Sequence, residues 1–206
     1  MKKFLFQGDS ITDAGRARDW DLSLGSGYST VVAATLGTEF PGEYEFINRA
    51  ISGNRIVDLY ARIKTDIINL KPDALSILIG INDVWHEVNH QNGVSAEKYE
   101  KIYDMLIEEI LEALPDIKIY ILEPFVTHGK AADENWDYFY SETLKRAQGA
   151  KRVAEKYDLV FIPLQDKFNA AQQVADCTYW TAEGVHPTAM GHGIIANALV
   201  KAIQNK

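Results

Sequence analysis

The chain has 206 residues, a length typical of one domain that buries a sizeable core without cross-links. Its formal net charge of −8 argues against nucleic acid and an anionic membrane surface as the main partner. Cys177 is the single cysteine, so an intramolecular disulfide is excluded. The N-terminal apolar run stops at Phe6, too early for a secretory segment, and no window is long enough to span a membrane. We therefore expect one cytoplasmic domain over residues 1–206, with homo-oligomerisation left open.

Short β-like runs alternate with amphipathic helical stretches along the chain. The run Ala74–Ile79 is apolar nearly throughout, which is typical of a strand covered on both faces. This alternation predicts a three-layer α/β/α sandwich around a mostly parallel, flavodoxin-like five-stranded sheet. In chain order we predict a strand at Lys3–Gln7, a strand at Tyr44–Asn48, a helix at Ile56–Leu70, a strand at Ala74–Ile79, a helix at Ser95–Leu114, a strand at Ile117–Leu122, a helix at Asn135–Tyr157, a strand at Leu159–Ile162 and a helix at Met190–Ile203.

Four polar segments lie where such a fold would place a ligand. In an open parallel sheet, ligands bind beyond the carboxyl ends of the strands. The first three predicted strands are followed by residues 8–13, 49–54 and 80–83, and residues 183–187 precede the last helix. We therefore expect these four segments to converge on one edge of the sheet.

Ser10 and His186 have the pattern of a nucleophile and its general base. Ser10 lies in a Gly-Asp-Ser turn at the end of a predicted buried strand, where its hydroxyl would be exposed. A serine attacks a carbonyl when a base accepts its proton and a third group orients that base. Glu183, three residues before His186, can fold back onto the imidazole. If it does not, a backbone carbonyl or another carboxylate such as Asp176 would orient the histidine.

Three amides are candidates for stabilising the oxyanion that forms on attack. They are the backbone amides of Ser10 and Gly53 and the side-chain amide of Asn82. Glycine suits this role because the amide must approach the substrate closely. Asp9 is expected to tie down its loop through backbone hydrogen bonds. The nearby residues Asp13 and Asp83 have the same structural interpretation, although either could instead help to shape the site.

These segments carry a family resemblance. Gly8-Asp9-Ser10-Ile11, Gly53, Gly80-Ile81-Asn82-Asp83 and Val185-His186-Pro187 resemble the four blocks of the SGNH (GDSL) hydrolases, in order and at similar spacing. The match runs essentially from end to end of the chain. Within the family, residues 8–18 and 80–85 are most similar to the carbohydrate-esterase branch, which includes acetylxylan esterases.

The resemblance implies a role for each block. Ser10 is then the nucleophile, His186 the base, and Ser10, Gly53 and Asn82 the oxyanion donors. The implied reaction is hydrolysis of a small acyl ester, most simply an O-acetyl ester of a carbohydrate, through an acyl-serine intermediate and without a metal or organic cofactor. The family usually has Asp where this chain has Glu183.

Two other functions remain open at this point. A lipid- or thioester-directed acylhydrolase could be built on the same residues. A carbohydrate-binding protein on a degenerate hydrolase scaffold would be disabled by the change at Glu183, but the intact Ser10, Gly53, Asn82 and His186 argue against it.

The roles of two neighbouring features are also open. Trp20 and Trp85 follow the Ser10 and Asn82 blocks and Trp180 precedes Glu183, so these indoles are expected either to stack on a sugar or to pack in the core. The polar segment 130–135 predicts either a flap or a plain surface loop.

A second motif has a metal interpretation. His86-Glu87-Val88-Asn89-His90 fits the H-E-x-x-H pattern of zinc proteases and is followed by Gly93. Ala96 stands where the extended pattern has its third histidine, and residues 89–93 predict a loop rather than the required helix. Only a glutamate of the next helix (Glu108, Glu109 or Glu112) could replace that ligand, so we predict no metal site.

Overall fold

The computed structural model describes residues 1–20 and 22–205 of the chain. Five parallel strands form one sheet in the order β2-β1-β3-β4-β5, which is the flavodoxin-like order. Strand β1 lies between β2 and β3 and pairs Phe4 with Phe46 on one side and with Ala74 on the other. The strands are β1 at Lys2–Gly8, β2 at Tyr44–Asn48, β3 at Ala74–Leu78, β4 at Lys118–Leu122 and β5 at Val160–Ile162.

Helices cover both faces of this sheet. Successive residues of a strand point to opposite faces, so Phe4 and Phe6 enter one buried cluster and Leu5 enters the other. The helices are α1 at Ser10–Asp13, α2 at Tyr28–Glu39, α3 at Ile56–Ala61, α4 at Ile63–Asp66, α5 at Ile81–His90, α6 at Ala96–Ala113, α7 at Trp136–Lys156, α8 at Gln165–Ala171, α9 at Cys177–Trp180 and α10 at Ala189–Gln204, with 3-10 turns at Ile68–Leu70 and Asp133–Asn135.

Each cluster lies between the sheet and a pair of long helices. Helices α2 and α10 pack together over the Phe4 and Phe6 face, where Leu36 and Leu199 are fully buried. Helices α6 and α7 pack over the Leu5 face. The three-layer α/β/α sandwich is therefore as predicted. Within the described part of the chain, every helix is too short or too polar to cross a membrane.

The predicted helix at Ile56–Leu70 is wrong as a single element. The chain leaves helical geometry at Arg62, where φ is −116° and ψ is 17°, and again at Ile67. Arg62 breaks the helix while its guanidinium donates to the Arg49 carbonyl at 2.8 Å and to the Asn54 side chain at 2.8 Å. Contacts with a neighbouring loop thus override the local apolar spacing.

Helix α5 is not among the predicted elements, since residues 80–83 are identified only as a polar segment after a strand and residues 89–93 predict a loop. Gly80, with φ at 137°, turns the chain directly from β3 into this helix. A Cβ at Gly80 would lie 3.0 Å from the ring of Pro124 and 3.1 Å from the Tyr99 hydroxyl, so the turn is closely packed. Asn82 therefore lies in the first turn of a helix.

Candidate active site

Ser10 is presented by a tight turn between β1 and α1. A Cβ at Gly8 would lie 2.3 Å from the Leu78 carbonyl oxygen, so only glycine fits where β1 ends. The buried carboxylate of Asp9 caps α1 by accepting the Ile11 N–H at 3.0 Å. Ser10 is the first residue of α1 and is half-buried, which leaves its hydroxyl accessible.

His186 lies on a closed loop opposite this turn. The loop is joined at its base by a bridge between Thr181 and Pro187, and the Ala182 N–H donates to the His186 carbonyl at 2.8 Å. Within the loop, Gly184 adopts a φ of 102°, which favours glycine. The loop places His186 Nε2 at 2.7 Å from Ser10 Oγ.

Glu183 completes a line of three side chains. Its Oε1 atom accepts the His186 backbone N–H at 3.1 Å and is also hydrogen-bonded to His186 Nδ1. Because the carboxylate accepts the proton of Nδ1, Nε2 is left free to accept the proton of Ser10. The side chains of His186 and Glu183 are 40% and 26% exposed, so the line opens to solvent and substrate. The arrangement can deprotonate Ser10 and stabilise the resulting imidazolium.

Asp176, the alternative partner for the histidine, has a different role. Its carboxylate caps α9 by accepting the Thr178 N–H at 2.9 Å and the Thr178 hydroxyl at 2.6 Å. The geometry therefore places Glu183, and not Asp176, on the imidazole.

The three predicted oxyanion donors follow three adjacent strands. Ser10 follows β1, Gly53 follows β2 and Asn82 follows β3. No hydrogen bond between described residues uses the backbone N–H of Ser10 or Gly53. Asn82 Nδ2 donates one proton to the Asn54 carbonyl at 3.1 Å, which leaves its second proton free. These groups can donate to a developing oxyanion.

Gly53 has a conformational reason to be glycine. The Asn54 N–H donates to the Ile51 carbonyl at 3.1 Å, which closes a turn, and Gly53 is its third residue with φ at 82°. A positive φ at this position is the signature of a type II turn and strongly favours glycine. A Cβ at Gly53 would meet no described atom within 4 Å, so the open space beside it is available to a substrate.

The neighbours of Ser10 and Asn82 in the sequence, Asp9 and Asp83, are buried carboxylates. Burial raises the pKa of Asp9 to about 7, although the hydrogen bond from Ile11 opposes this shift. Burial also raises the pKa of Asp83 well above its usual range. Asp83 accepts the Ile56 N–H at 3.1 Å and so joins α5 to the start of α3.

A support for the histidine loop was not anticipated from the sequence. The N–H groups of Thr127 and Ala131 donate to the carbonyls of Gly184 and Glu183, each at 2.9 Å. Gly129 lies between them, and a Cβ there would be 2.3 Å from the Glu183 carbonyl carbon. The segment 127–131, hereafter the support loop, thus fixes the backbone of Glu183. A polar composition at residues 130–135 was the only local signal, and it does not identify the partner.

The three tryptophans lie in different environments. Trp85 is half-buried on α5, and its ring centroid is 5.7 Å from that of His186. Trp180 packs against the core, and its buried Nε1 has no hydrogen-bond partner among the described residues. Trp20 is 59% exposed on the loop after α1. Trp85 is therefore the indole that borders the candidate triad.

The H-E-x-x-H segment is helical, so the loop prediction was wrong at Asn89 and His90. The rings of His86 and His90 lie on α5 with centroids 6.1 Å apart. Glu87 accepts the Gly93 N–H at 3.0 Å, which closes the end of this helix. Among the described residues, no group of three or more His, Cys, Asp or Glu side chains could hold a metal ion.

A parallel α/β/α fold with this serine–histidine–carboxylate line at the carboxyl edge of its sheet defines an acyl hydrolase. The model of the GDSL-like lipase/acylhydrolase family matches residues 6–194. The chain belongs to this family and is a carboxylic ester hydrolase, which confirms the resemblance.

Individual relatives cover nearly the whole chain. An acetylxylan esterase of Geobacillus stearothermophilus is 34% identical over 213 residues, which are 98% of this chain and 94% of that protein. The crystal structure of Axe2, an acetylxylan esterase of the same organism, has a TM-score of 0.89 at 32% identity and covers 100% of this chain and 95% of its own. A structure described as a GDSL-like lipase of Parabacteroides merdae has a TM-score of 0.91 at 35% identity, covering 100% and 96%.

Proposed function

We propose that this protein removes acetyl groups from carbohydrate esters, with Ser10 as nucleophile, His186 as general base and Glu183 as the group that orients the base. The continuous line Ser10–His186–Glu183 is the observation that carries the proposal. The similarity to acetylxylan esterases supports the acetyl and carbohydrate parts of the substrate.

Axe2 offers independent support for the three roles. Its catalytic mutants replace one serine, one aspartate and one histidine, and the aspartate precedes the histidine by three residues. Glu183 precedes His186 by the same three residues. Glutamate therefore takes the place of the aspartate in our proposal.

The proposed reaction has two steps. In the first, His186 Nε2 accepts the Ser10 proton as Oγ attacks the ester carbonyl, and the oxyanion receives hydrogen bonds from Ser10, Gly53 and Asn82. His186 then donates that proton to the leaving sugar oxygen, which departs as a hydroxyl and leaves an acetyl-Ser10 ester. In the second, His186 accepts a proton from water as the water attacks this ester, and it returns the proton to Ser10 as acetic acid departs and then ionises in solution.

Trp85 suggests why the acyl group should be small. Its indole packs beside His186 and against Phe139, whose ring centroid is 6.4 Å away. A large side chain backed by the core restricts the space next to the reacting atoms. Each additional methylene of the acyl chain that finds no room should raise the transition-state free energy, and so lower kcat/KM, by roughly 1–3 kcal/mol.

A rate series tests the proposed substrate. We expect kcat/KM to fall steeply from acetyl through butyryl to octanoyl and palmitoyl p-nitrophenyl esters, and acetylated xylo-oligosaccharides to be deacetylated. Octanoyl esters cleaved as fast as acetyl esters would instead indicate a lipid- or thioester-directed acylhydrolase. Binding of the oligosaccharide without turnover would indicate a carbohydrate-binding protein.

Two alanine variants test the proposed nucleophile and base. Ser10→Ala and His186→Ala should each lower kcat by at least about 10³-fold, because the two side chains act as a unit. Their melting temperatures should remain close to that of the wild type, since neither side chain belongs to the buried clusters. Retained turnover in either variant would contradict its assigned role.

A further inference from the structure

Asp13 is a buried acceptor at the end of the helix that begins with Ser10. Its Oδ2 atom accepts three hydrogen bonds, from the Ser52 N–H at 2.9 Å, the Ser52 hydroxyl at 3.1 Å and the Arg18 guanidinium at 3.1 Å. Its Oδ1 atom accepts the Arg16 N–H at 3.2 Å. The Asp13 side chain is 3% exposed, so its carboxylate is shielded from water, whereas the Arg18 side chain is 56% exposed.

The position of Ser52 makes this contact relevant to the site. Ser52 is the second residue of the turn whose third residue is Gly53. Asp13 and Ser10 are the two ends of the single helical turn α1. One carboxylate therefore joins the segment that carries the Ser10 amide to the segment that carries the Gly53 amide.

A second contact holds the same turn from the other side. The Asn54 carbonyl accepts a hydrogen bond from the side-chain amide of Asn82, the third candidate donor, at 3.1 Å. The turn is thus fixed at Ser52 by Asp13 and at Asn54 by Asn82. The free N–H of Gly53 lies between these two fixed points.

We propose that Asp13 is a positioning residue of the oxyanion hole, which sets the Gly53 amide relative to Ser10 through its two hydrogen bonds with Ser52. This inference rests on the proposed role of Ser10 and its oxyanion donors. The donors bind charge that exists only in the transition state, so their displacement lowers kcat and leaves KM nearly unchanged.

Three variants test the link at different points. Asp13→Asn places an amide N–H₂ among the donors of Ser52 and Arg18, and we expect kcat with p-nitrophenyl acetate to fall about 10–10²-fold. Ser52→Pro removes both donors, while proline is favoured at the second position of such a turn, so a similar fall is expected. Ser52→Ala keeps the N–H and should stay within about fivefold of the wild type.

A loss of folded protein is distinguished from a positioning effect of Asp13 by measuring how many molecules carry a reactive Ser10. A serine-directed organophosphonate titrates reactive Ser10, and kcat is calculated per titrated site. The matched control is Asp73→Asn, because Asp73 also accepts a backbone N–H, that of Lys3 at 2.7 Å, at the opposite edge of the sheet. The control should change melting temperature without changing kcat per site.

The outcomes distinguish this inference from the proposed function. Lower kcat per site in Asp13→Asn and Ser52→Pro, with slower phosphonylation of Ser10, supports positioning. A loss confined to the melting temperature or to the titrated fraction overturns it, as does a rise in KM alone. Phosphonylation does not depend on the natural ester, so a wild type inactive on acetylated sugars contradicts only the proposed substrate. A wild type that is not labelled at Ser10 overturns both.

Discussion

Ser10 and its proposed oxyanion donors are held by hydrogen bonds to buried carboxylates, whereas His186 and Glu183 lie on a loop that is held mainly by backbone hydrogen bonds. The donor segments are joined by the buried carboxylates of Asp13 and Asp83. The histidine loop is instead hydrogen-bonded to the support loop, and its key side chains are 40% and 26% exposed. The serine side, meaning Ser10 and these donors, therefore depends on buried carboxylates. The base side, meaning His186 and Glu183, depends on backbone hydrogen bonds within the histidine loop and with the support loop, and on the buried Val185 between them.

This difference gives a physical reason for glutamate in place of the usual aspartate. The support loop fixes the backbone of Glu183, so a side chain with one more methylene can fold back onto His186 without disturbing the core. Ordering the longer side chain costs some rotamer entropy. This comparison predicts that activity tolerates a change in the length of the Glu183 side chain but not the loss of its charge.

The largest effect is expected from a change of charge at Glu183. Glu183→Gln should lower kcat by about 10²–10³-fold, because an amide can donate to Nδ1 and favour the wrong histidine tautomer. Glu183→Asp should stay within about tenfold of the wild type, since it keeps the charge. Steady-state kinetics with p-nitrophenyl acetate measures both.

Asp176→Asn is the matched control for this prediction. It removes a carboxylate seven residues from Glu183 that caps α9 rather than the imidazole, so kcat should be unchanged. Asparagine is also a good helix cap, so stability should change little. Nearly full activity of Glu183→Gln would mean that a Ser10–His186 dyad suffices.

The next largest effect is expected from Gly129→Ala, which changes the support loop and leaves Ser10, His186 and Glu183 in place. In Gly129→Ala the new Cβ would lie within 2.5 Å of the Glu183 carbonyl group, so the two loops must separate. We expect roughly tenfold lower kcat and a loss of about 1–3 kcal/mol in the free energy of unfolding. Kinetics and urea denaturation measure the two changes.

Gly193→Ala provides the comparison for this variant. Gly193 lies within α10, and a Cβ there would meet no described atom within 4 Å. Alanine should stabilise the helix by about 0.5–1 kcal/mol and leave kcat unchanged. If Gly129→Ala likewise leaves kcat unchanged and does not lower stability, the support loop does not hold the histidine loop.

The same contrast explains what the sequence could predict. Ser10, Gly53 and Asn82 follow strands in compact motifs, so both their proximity and the sheet could be inferred from patterns within the chain. Gly129 and Glu183 are 54 residues apart, and their contact depends on backbone hydrogen bonds that no side-chain pattern encodes. Helix α2 was missed for a related reason. Its buried face is set by sparse residues such as Val32 and Leu36 among threonines and alanines.

The smallest effect on activity is expected on the serine side, from Asp9, where the change is in stability and its dependence on pH. Burial raises the pKa of Asp9 in the folded state to about 7, above its value of about 4 in an unfolded chain. The folded protein therefore binds more protons between these values, so this contribution to stability is full below pH 4 and is lost as the pH rises through 7. Asp9→Asn should remove the dependence and keep the cap on Ile11, since asparagine is an equally good acceptor there. The variant should gain about 2–3 kcal/mol in unfolding free energy relative to the wild type between pH 5 and pH 8, measured by urea denaturation. An equal difference between the two proteins at both pH values would show that Asp9 does not titrate in this range.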